Sequence, residues 1–295
     1  MDTVVLLTLT GLGLGALYFL VASGLSLIFG LMDVLNFAHG ALLSVGAYAT
    51  WWAASGHLPG AGSGGLGFVL AVVFGVVVGT LAAIVLELVV VRPLYTRPRE
   101  QVLATVGVSL AVPALLSGIW GTDPLTFPGP EALKSTVGVL GASVPANRLV
   151  LIAAAVLVWA GLKLFLDRTR HGLVVRAGVE DRAMVTALGI DVRKAFTLVF
   201  AIGGAAAALG GALGGLYFGS VDPGQGTSLL IFAFVVVVTG GMGSVTGAAV
   251  ASVVIGLVQQ FANYYTTAGL GDLAVVVLLA ALLLVRPRGL TGRLA

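Results

Sequence analysis

Three clusters of residues carry the chemistry this sequence can offer. The first is Asp33-Val34-Leu35-Asn36-Phe37-Ala38-His39-Gly40. An amide and an imidazole at the head of an apolar stretch are costly to bury unless they are paired or face a polar cavity. Asn36 both donates and accepts, and His39 follows three residues later, so on a helix the two share a face. That pattern suits the lining or hinge of a passage, and equally a polar knot that fixes one helix against another. The second cluster is Gly240-Gly241-Met242-Gly243-Ser244-Val245-Thr246-Gly247, after a short apolar run. Its glycines permit tight turning and close backbone approach, as a broken helix beside a passage needs and as an ordinary connecting turn also does. The third is the connection from Asp167 to Ala195, which holds Arg176, Glu180, Asp181, Arg182, Met184, Ala187, Leu188, Gly189 and Asp191. Met184, Ala187 and Leu188 recur at helical spacing beside charged residues, which predicts a short amphipathic helix stopped by Gly189. Such a helix fits a partner's groove, its own bundle, or lipid headgroups.

Other chemistry is not expected. There is no Cys, so thiolate ligands and Cys nucleophiles are excluded. The three His residues have no second His or carboxylate pair within helical reach, so no metal site and no intramembrane enzyme is predicted. Gly11-Leu12-Gly13-Leu14-Gly15-Ala16 matches the dinucleotide fingerprint, but it continues into a charge-free stretch of membrane-span length rather than a βαβ unit. No Walker A pattern occurs, so any ATP hydrolysis must come from another chain. Between Asp222 and Asp272 the sequence has no charge, which disfavours a proton relay or a conduit for a strongly charged solute. Glu87, close to Arg92 at the end of its span, reads as a snorkelling side chain.

The elements that must position these residues are membrane helices. Only 9% of the 295 residues are charged, 59% are hydrophobic, and the mean hydropathy is +1.11, which places the chain in lipid. The net charge of +3 belongs to a hydrophobic body, and no nucleic-acid partner is expected. The fold class is an all-α polytopic bundle of about eight to nine membrane segments, some short or broken, in one transmembrane domain over 1–295. The charge-poor segments are 4–29, 34–54, 66–91, 101–120, 148–166, 196–218, 228–239, 246–265 and 270–285. Segment 228–239 is too short to cross and reads as a half-helix or a re-entrant piece; 34–54 is broken near Asn36, His39 and Gly40. All basic residues but Lys134 and Arg148 gather near 92–99, 163–194 and 286–293, so those segments are cytoplasmic. Counting spans then puts the N-terminus outside, the C-terminus inside, and 121–147 in the largest external loop. Glycines at four-residue spacing, Gly11/Gly15, Gly75/Gly79 and Gly211/Gly215/Gly219, allow helices to pack closely in lipid.

With these motifs quoted, the chain resembles the LivH-type permease subunits of branched-chain amino-acid ABC importers. The similarity lies in Leu35-Asn36-Phe37-Ala38-His39-Gly40, in Glu180-Asp181-Arg182-Ala183-Met184 continuing to Leu188-Gly189-Ile190-Asp191, and in Gly240-Gly241-Met242-Gly243-Ser244 followed by Gly247. Arg92-Pro93-Leu94, then Ala104-Thr105-Val106-Gly107 and Ser109, also fits. The resemblance implies an importer permease in the inner membrane. Asn36, Phe37, Ala38, His39, Gly40, Gly240, Gly241, Gly243 and Ser244 would lie near the translocation path. Arg176, Glu180, Asp181, Arg182, Met184, Leu188, Gly189 and Asp191 would form the coupling loop, about 167–195. The implied companions are a second, LivM-like permease, two ATP-binding subunits that bind the ATP, an external solute-binding protein, and membrane lipid. No cofactor is implied for this chain. Many relatives carry Glu directly after the His-Gly pair where this chain has Ala41. Urea and short-chain amide importers use similar permeases, and an ion-coupled secondary transporter is the alternative from another class.

Overall fold

The computed structural model describes residues 2–32, 36–139, 141–180, 182–187, 189, 192–267, 269–286 and 289–290. In chain order the elements are Asp2–Met32 (α1), His39–Trp52 (α2) with a π-helical turn Ala53–His57, and Gly65–Leu86 (α3) with a π-helical turn Glu87–Val91 and a 3-10 turn Arg92–Leu94. Then come Pro98–Trp120 (α4), Leu125–Thr126 (β1), Glu131–Lys134 (α5), Thr136–Val139 (β2), Ala142–Pro145 (β3) and Ala146–Arg168 (α6). Arg170–Glu180 (α7), Arg182–Ala187 (α8), Val192–Phe218 (α9), Ser220–Val221 (β4), Gln225–Gly240 (α10), Val245–Tyr265 (α11) and Leu270–Val285 (α12) complete the chain. Among the described residues, six helices are long and apolar enough to cross a membrane, namely α1, α3, α4, α6, α9 and α11. The protein is an all-α, multi-pass membrane protein.

Three further helices are shorter. α2 has 14 residues and α10 and α12 have 16 each, so they extend about 21 to 24 Å against a hydrocarbon layer of about 30 Å. The half-helix expected at 228–239 is therefore α10. The segment 270–285, expected as a full span, is no longer than α10. The break expected in 34–54 falls before His39.

Burial separates centre from rim. The most apolar stretches of α1 and α9 are 61% and 67% buried within the chain, whereas those of α4 and α6 are 11% and 17% buried. Small residues explain which helices reach the centre, because helices in lipid gain from close contact rather than from hydrophobicity. A Cβ on Gly15 of α1 would lie 2.6 Å from the Ser252 carbonyl oxygen of α11. One on Gly46 of α2 would lie 2.8 Å from the Ala208 oxygen of α9, and one on Gly75 of α3 2.7 Å from the Gly46 oxygen. Gly211 and Gly215 pack the same way, against α2 and against Phe127. Gly219 departs from the expected ladder. Its φ is +73°, nothing among the described residues beyond its chain neighbours lies within 4 Å of a Cβ there, and it ends α9 by turning the chain into β4.

The loops sort to two ends. At one end, β1 pairs antiparallel with β4, β2 with β3, and the side chain of Asp2 lies beside Gly141. The two basic residues expected outside are both here, each held by local partners. Lys134 donates to Glu131 at 2.7 Å, and Arg148 lies 3.4 Å over the Tyr217 ring while donating to the Tyr217 carbonyl. At the other end, Gly30 of α1 meets Gly243, and Leu290 donates to the Thr239 carbonyl at 2.8 Å.

Candidate translocation site and coupling segment

The start of α2 lies inside the bundle. His39 is fully buried, and its Nε2 lies 3.0 Å from the carbonyl oxygen of Val21, two thirds of the way along α1. A carbonyl only accepts, so Nε2 of the neutral ring carries the proton and Nδ1 is left as an acceptor. Asn36 is not helical and shares no helix face with His39. It precedes α2 and forms a turn leading into it: its Oδ1 accepts from the Ala38 amide at 3.1 Å and its carbonyl from the His39 amide at 3.2 Å. Asn36 Nδ2 and His39 Nδ1 are both buried and have no hydrogen-bond partner among the described residues.

The start of α10 meets the start of α2. A Cβ on Gly40 would lie 2.6 Å from the Gly226 carbonyl oxygen and 3.1 Å from Leu230 Cβ, so the two backbones touch. Ser44 points its hydroxyl toward the Pro223 carbonyl at 3.5 Å. Phe37 is half-buried, and its ring centroid is 5.2 Å from that of Phe234. Thr227, Ser228 and Ile231 are exposed on the one side of α10 that the bundle does not cover. Sequence reasoning missed these three; their signal was two hydroxyls at the head of a helix too short to cross. Of the expected path residues, Asn36, Ala38, His39 and Gly40 are buried and build the joint, and Phe37 reaches the open side.

Gly240, Gly241, Gly243 and Ser244 lie at the far end of α10, away from the 36–40 joint. Gly241 ends α10 with φ +97° and Gly243 follows with φ +84°, so this turn needs residues without a Cβ. Gly243 abuts Gly30, where a Cβ would meet the Gly243 Cα at 2.8 Å. Ser244 caps α11, its Oγ accepting from the Gly247 amide at 3.0 Å. Ser244→Ala is expected to cost about 1 kcal/mol, read as a lower thermal midpoint in detergent.

The expected coupling residues follow α6. Thr169 caps α7 through the Gly172 amide at 2.9 Å, Val175 and Val185 are buried, and Arg176 pairs with Asp167 at 3.3 Å on the surface. Met184 is 61% exposed on α8, and Gly189 follows with φ +77°, the conformation expected of a helix-stopping glycine. Asp181, Leu188 and Asp191 lie outside the described residues, as do the side chains of Glu180 and Arg182.

One charged group departs from its sequence reading. Glu87 does not snorkel: it is fully buried at the start of the π-helical turn. Arg92 donates to it through Nε at 3.1 Å and Nη2 at 3.2 Å, Thr197 of α9 donates at 3.1 Å, and the Tyr95 hydroxyl also donates to it. Burial pushes the Tyr95 phenol above its usual range, and Glu87 beside it adds to that, so Tyr95 stays a donor. The five-residue spacing from Glu87 to Arg92 matches one π turn, a repeat the 3.6-residue helical pattern does not display.

A glycine-packed helical bundle with two half-length helices meeting inside it defines a polytopic membrane protein built around a joint. The chain belongs to the family described as branched-chain amino acid transport system / permease component, which matches residues 7–286. It is 29% identical over 288 residues to the high-affinity branched-chain amino acid transport system permease protein LivH of Escherichia coli, covering 96% of this chain and 94% of that one. It is 30% identical over 289 residues to the permease protein BraD of the same kind of system in Pseudomonas aeruginosa, with the same coverage. A probable LivH of Methanocaldococcus jannaschii is 28% identical over 92% of this chain and 88% of that one. No solved structure matches the chain.

Proposed function

We propose that this chain is the permease subunit of an ABC importer for branched-chain, hydrophobic amino acids. Its companions are a LivM-like permease, two ATP-binding subunits that hydrolyse the ATP, and an external solute-binding protein. The family match across 7–286 carries this reading. The β1–β4 end faces outward, and the end with Arg92, α7, α8 and the C-terminus faces the cytoplasm, in line with the distribution of basic residues.

ATP binding closes the ATPase pair against the 167–195 segment, and that force shifts the packing of α2 and α10 between two states. A gate needs different contacts in its two states rather than tight solute binding. Asn36 Nδ2 and His39 Nδ1, one donor and one acceptor left over at the joint, are suited to gain partners in the second state. The open side offers Phe37, Thr227, Ser228 and Ile231, hydroxyls and apolar surface without a fixed charge, which suits an apolar zwitterion such as leucine. Ion-coupled transport would favour a carboxylate free to take up ions inside the membrane. Glu87 is held by Arg92, and Asp272 accepts from Gln259 at 2.6 Å.

The test is reconstitution of the assembled subunits in proteoliposomes, with ATP-driven leucine uptake as the readout. Gly189→Pro, or Glu180 and Asp181 both reversed to Lys, is expected to weaken ATPase association and to cut uptake about tenfold or more, since about 1.4 kcal/mol of lost contact is enough. Unchanged association and uptake in both variants, or gradient-driven flux from the chain alone, would overturn the assignment.

A further inference from the structure

On the rim of the bundle, α6 runs beside α1 and leaves a groove of about 170 Å³ against α11. Small residues open it: Ala16 on α1, Ala155 on α6, and Ala249 and Ser252 on α11. Its walls are apolar, and it lies between helices of membrane-span length, so hydrocarbon fills it more favourably than water. Trp159 lines it, and the indole Nε1 is buried with no hydrogen-bond partner among the described residues. One turn further along α6, about 6 Å, Lys163 places Nζ 5.1 Å from the Trp159 ring centroid. Lys163 is exposed and forms no ion pair among the described residues, and Arg168 follows at the end of the same helix.

An apolar furrow lined at one end by the Trp159 ring, with an ammonium one turn beyond, matches the acyl chain and the phosphate of a glycerophospholipid in order. We propose that this groove is a binding site for an anionic phospholipid of the leaflet facing the Arg168 end. One acyl chain lies between α1, α6 and α11. The phosphate pairs with Lys163. The anionic headgroup follows from the charge balance, because a zwitterionic lipid brings its own cation to a place that already holds one. The inference is independent of the solute transported and of the ATPase partners.

The test reads the lipid directly. The full chain is purified from nanodiscs of equal phosphatidylglycerol and phosphatidylcholine, and retained lipid is counted by native mass spectrometry. A basic side chain near the membrane surface is worth about a fivefold preference for the anionic lipid. Lys163→Gln, at an exposed position, is expected to bring that preference close to one while lipid is still retained. Val156→Trp, a 57% exposed position lining the groove, is expected to evict both with the elution profile unchanged. Equal retention of the two lipids by the wild type, a preference that survives Lys163→Gln, or full retention in Val156→Trp each overturns the proposal.

Discussion

Removing Glu87 is expected to lower the stability of the protein by about 3 kcal/mol, and removing Arg92 is expected to do more damage than that. The order follows from exposure. Arg92 is 36% exposed, so when Glu87 becomes alanine the guanidinium can turn to water. Glu87 is fully buried, so when Arg92 becomes alanine the carboxyl group keeps only hydroxyl donors, from Thr197 and Tyr95, and loses the cation that offsets its burial. Glu87→Gln is expected to fall between wild type and Glu87→Ala, because the amide keeps the shape and one acceptor but loses the charge. Thermal unfolding of the purified chain in detergent measures the order. A ranking with Glu87→Ala worse than Arg92→Ala would show that the carboxylate is relieved by something other than Arg92.

The same cluster has a functional side, since it ties the end of α3 to the first turns of α9, next to α7 and α8 in space. If force from the ATPases enters through the 167–195 segment, it passes this tie on the way to the α3 and α9 pair. Thr197→Val breaks the tie without stranding a charge, since Arg92 and Glu87 still pair. Its expected result is near-normal stability with less leucine transported per ATP hydrolysed. Proteoliposomes in which both rates are measured separate this from simple loss of fold.

What the sequence made legible follows from which interactions repeat along it. Glycines four apart on α1, α3 and α9 announce close crossings because a helix returns to the same face every four residues or so. The half-helix α10 was legible from its length and its terminal glycines, and the start of α2 from Asn36, His39 and Gly40. The partners were not. His39 meets Val21, and Gly40 meets Gly226, through crossings that join residues far apart in the chain, and no local pattern encodes which helix arrives. Glu87 was misread for a different reason. Its partners stand five, eight and 110 residues away, and only the π-helical turn brings the first of these onto its side. The placement of the glycine turn away from the 36–40 joint was likewise hidden, because α10 separates them by its own length.

Gly40→Ala and Gly226→Ala are each expected to slow transport by up to about thirtyfold, for a reason that composition alone would not suggest, since many of the 43 glycines stand in apolar segments of the same appearance. A Cβ on Gly40 falls 2.6 Å from the Gly226 carbonyl oxygen, and a Cβ on Gly226 falls 3.0 Å from the Gly40 carbonyl carbon, so backbone, not a flexible side chain, must give way. Overpacking of this kind costs about 2 kcal/mol. Where the penalty falls on only one of two conformers, it shifts their ratio about thirtyfold, and a gate that must visit both in every cycle slows accordingly. The clash is shared, because moving α2 from α10 relieves both positions at once. The double variant should therefore cost clearly less than the two single costs added together. Gly107 supplies the contrast. It lies within α4, nothing among the described residues outside its own helical turn stands within 4 Å of a Cβ there, and alanine should raise helix stability by about 1 kcal/mol with transport intact. Uptake and thermal midpoints measured across these four variants decide the matter. Normal transport by Gly40→Ala would show that α2 and α10 do not need their backbones in contact, and the joint at Asn36 to Gly40 would then be structural packing rather than a gate.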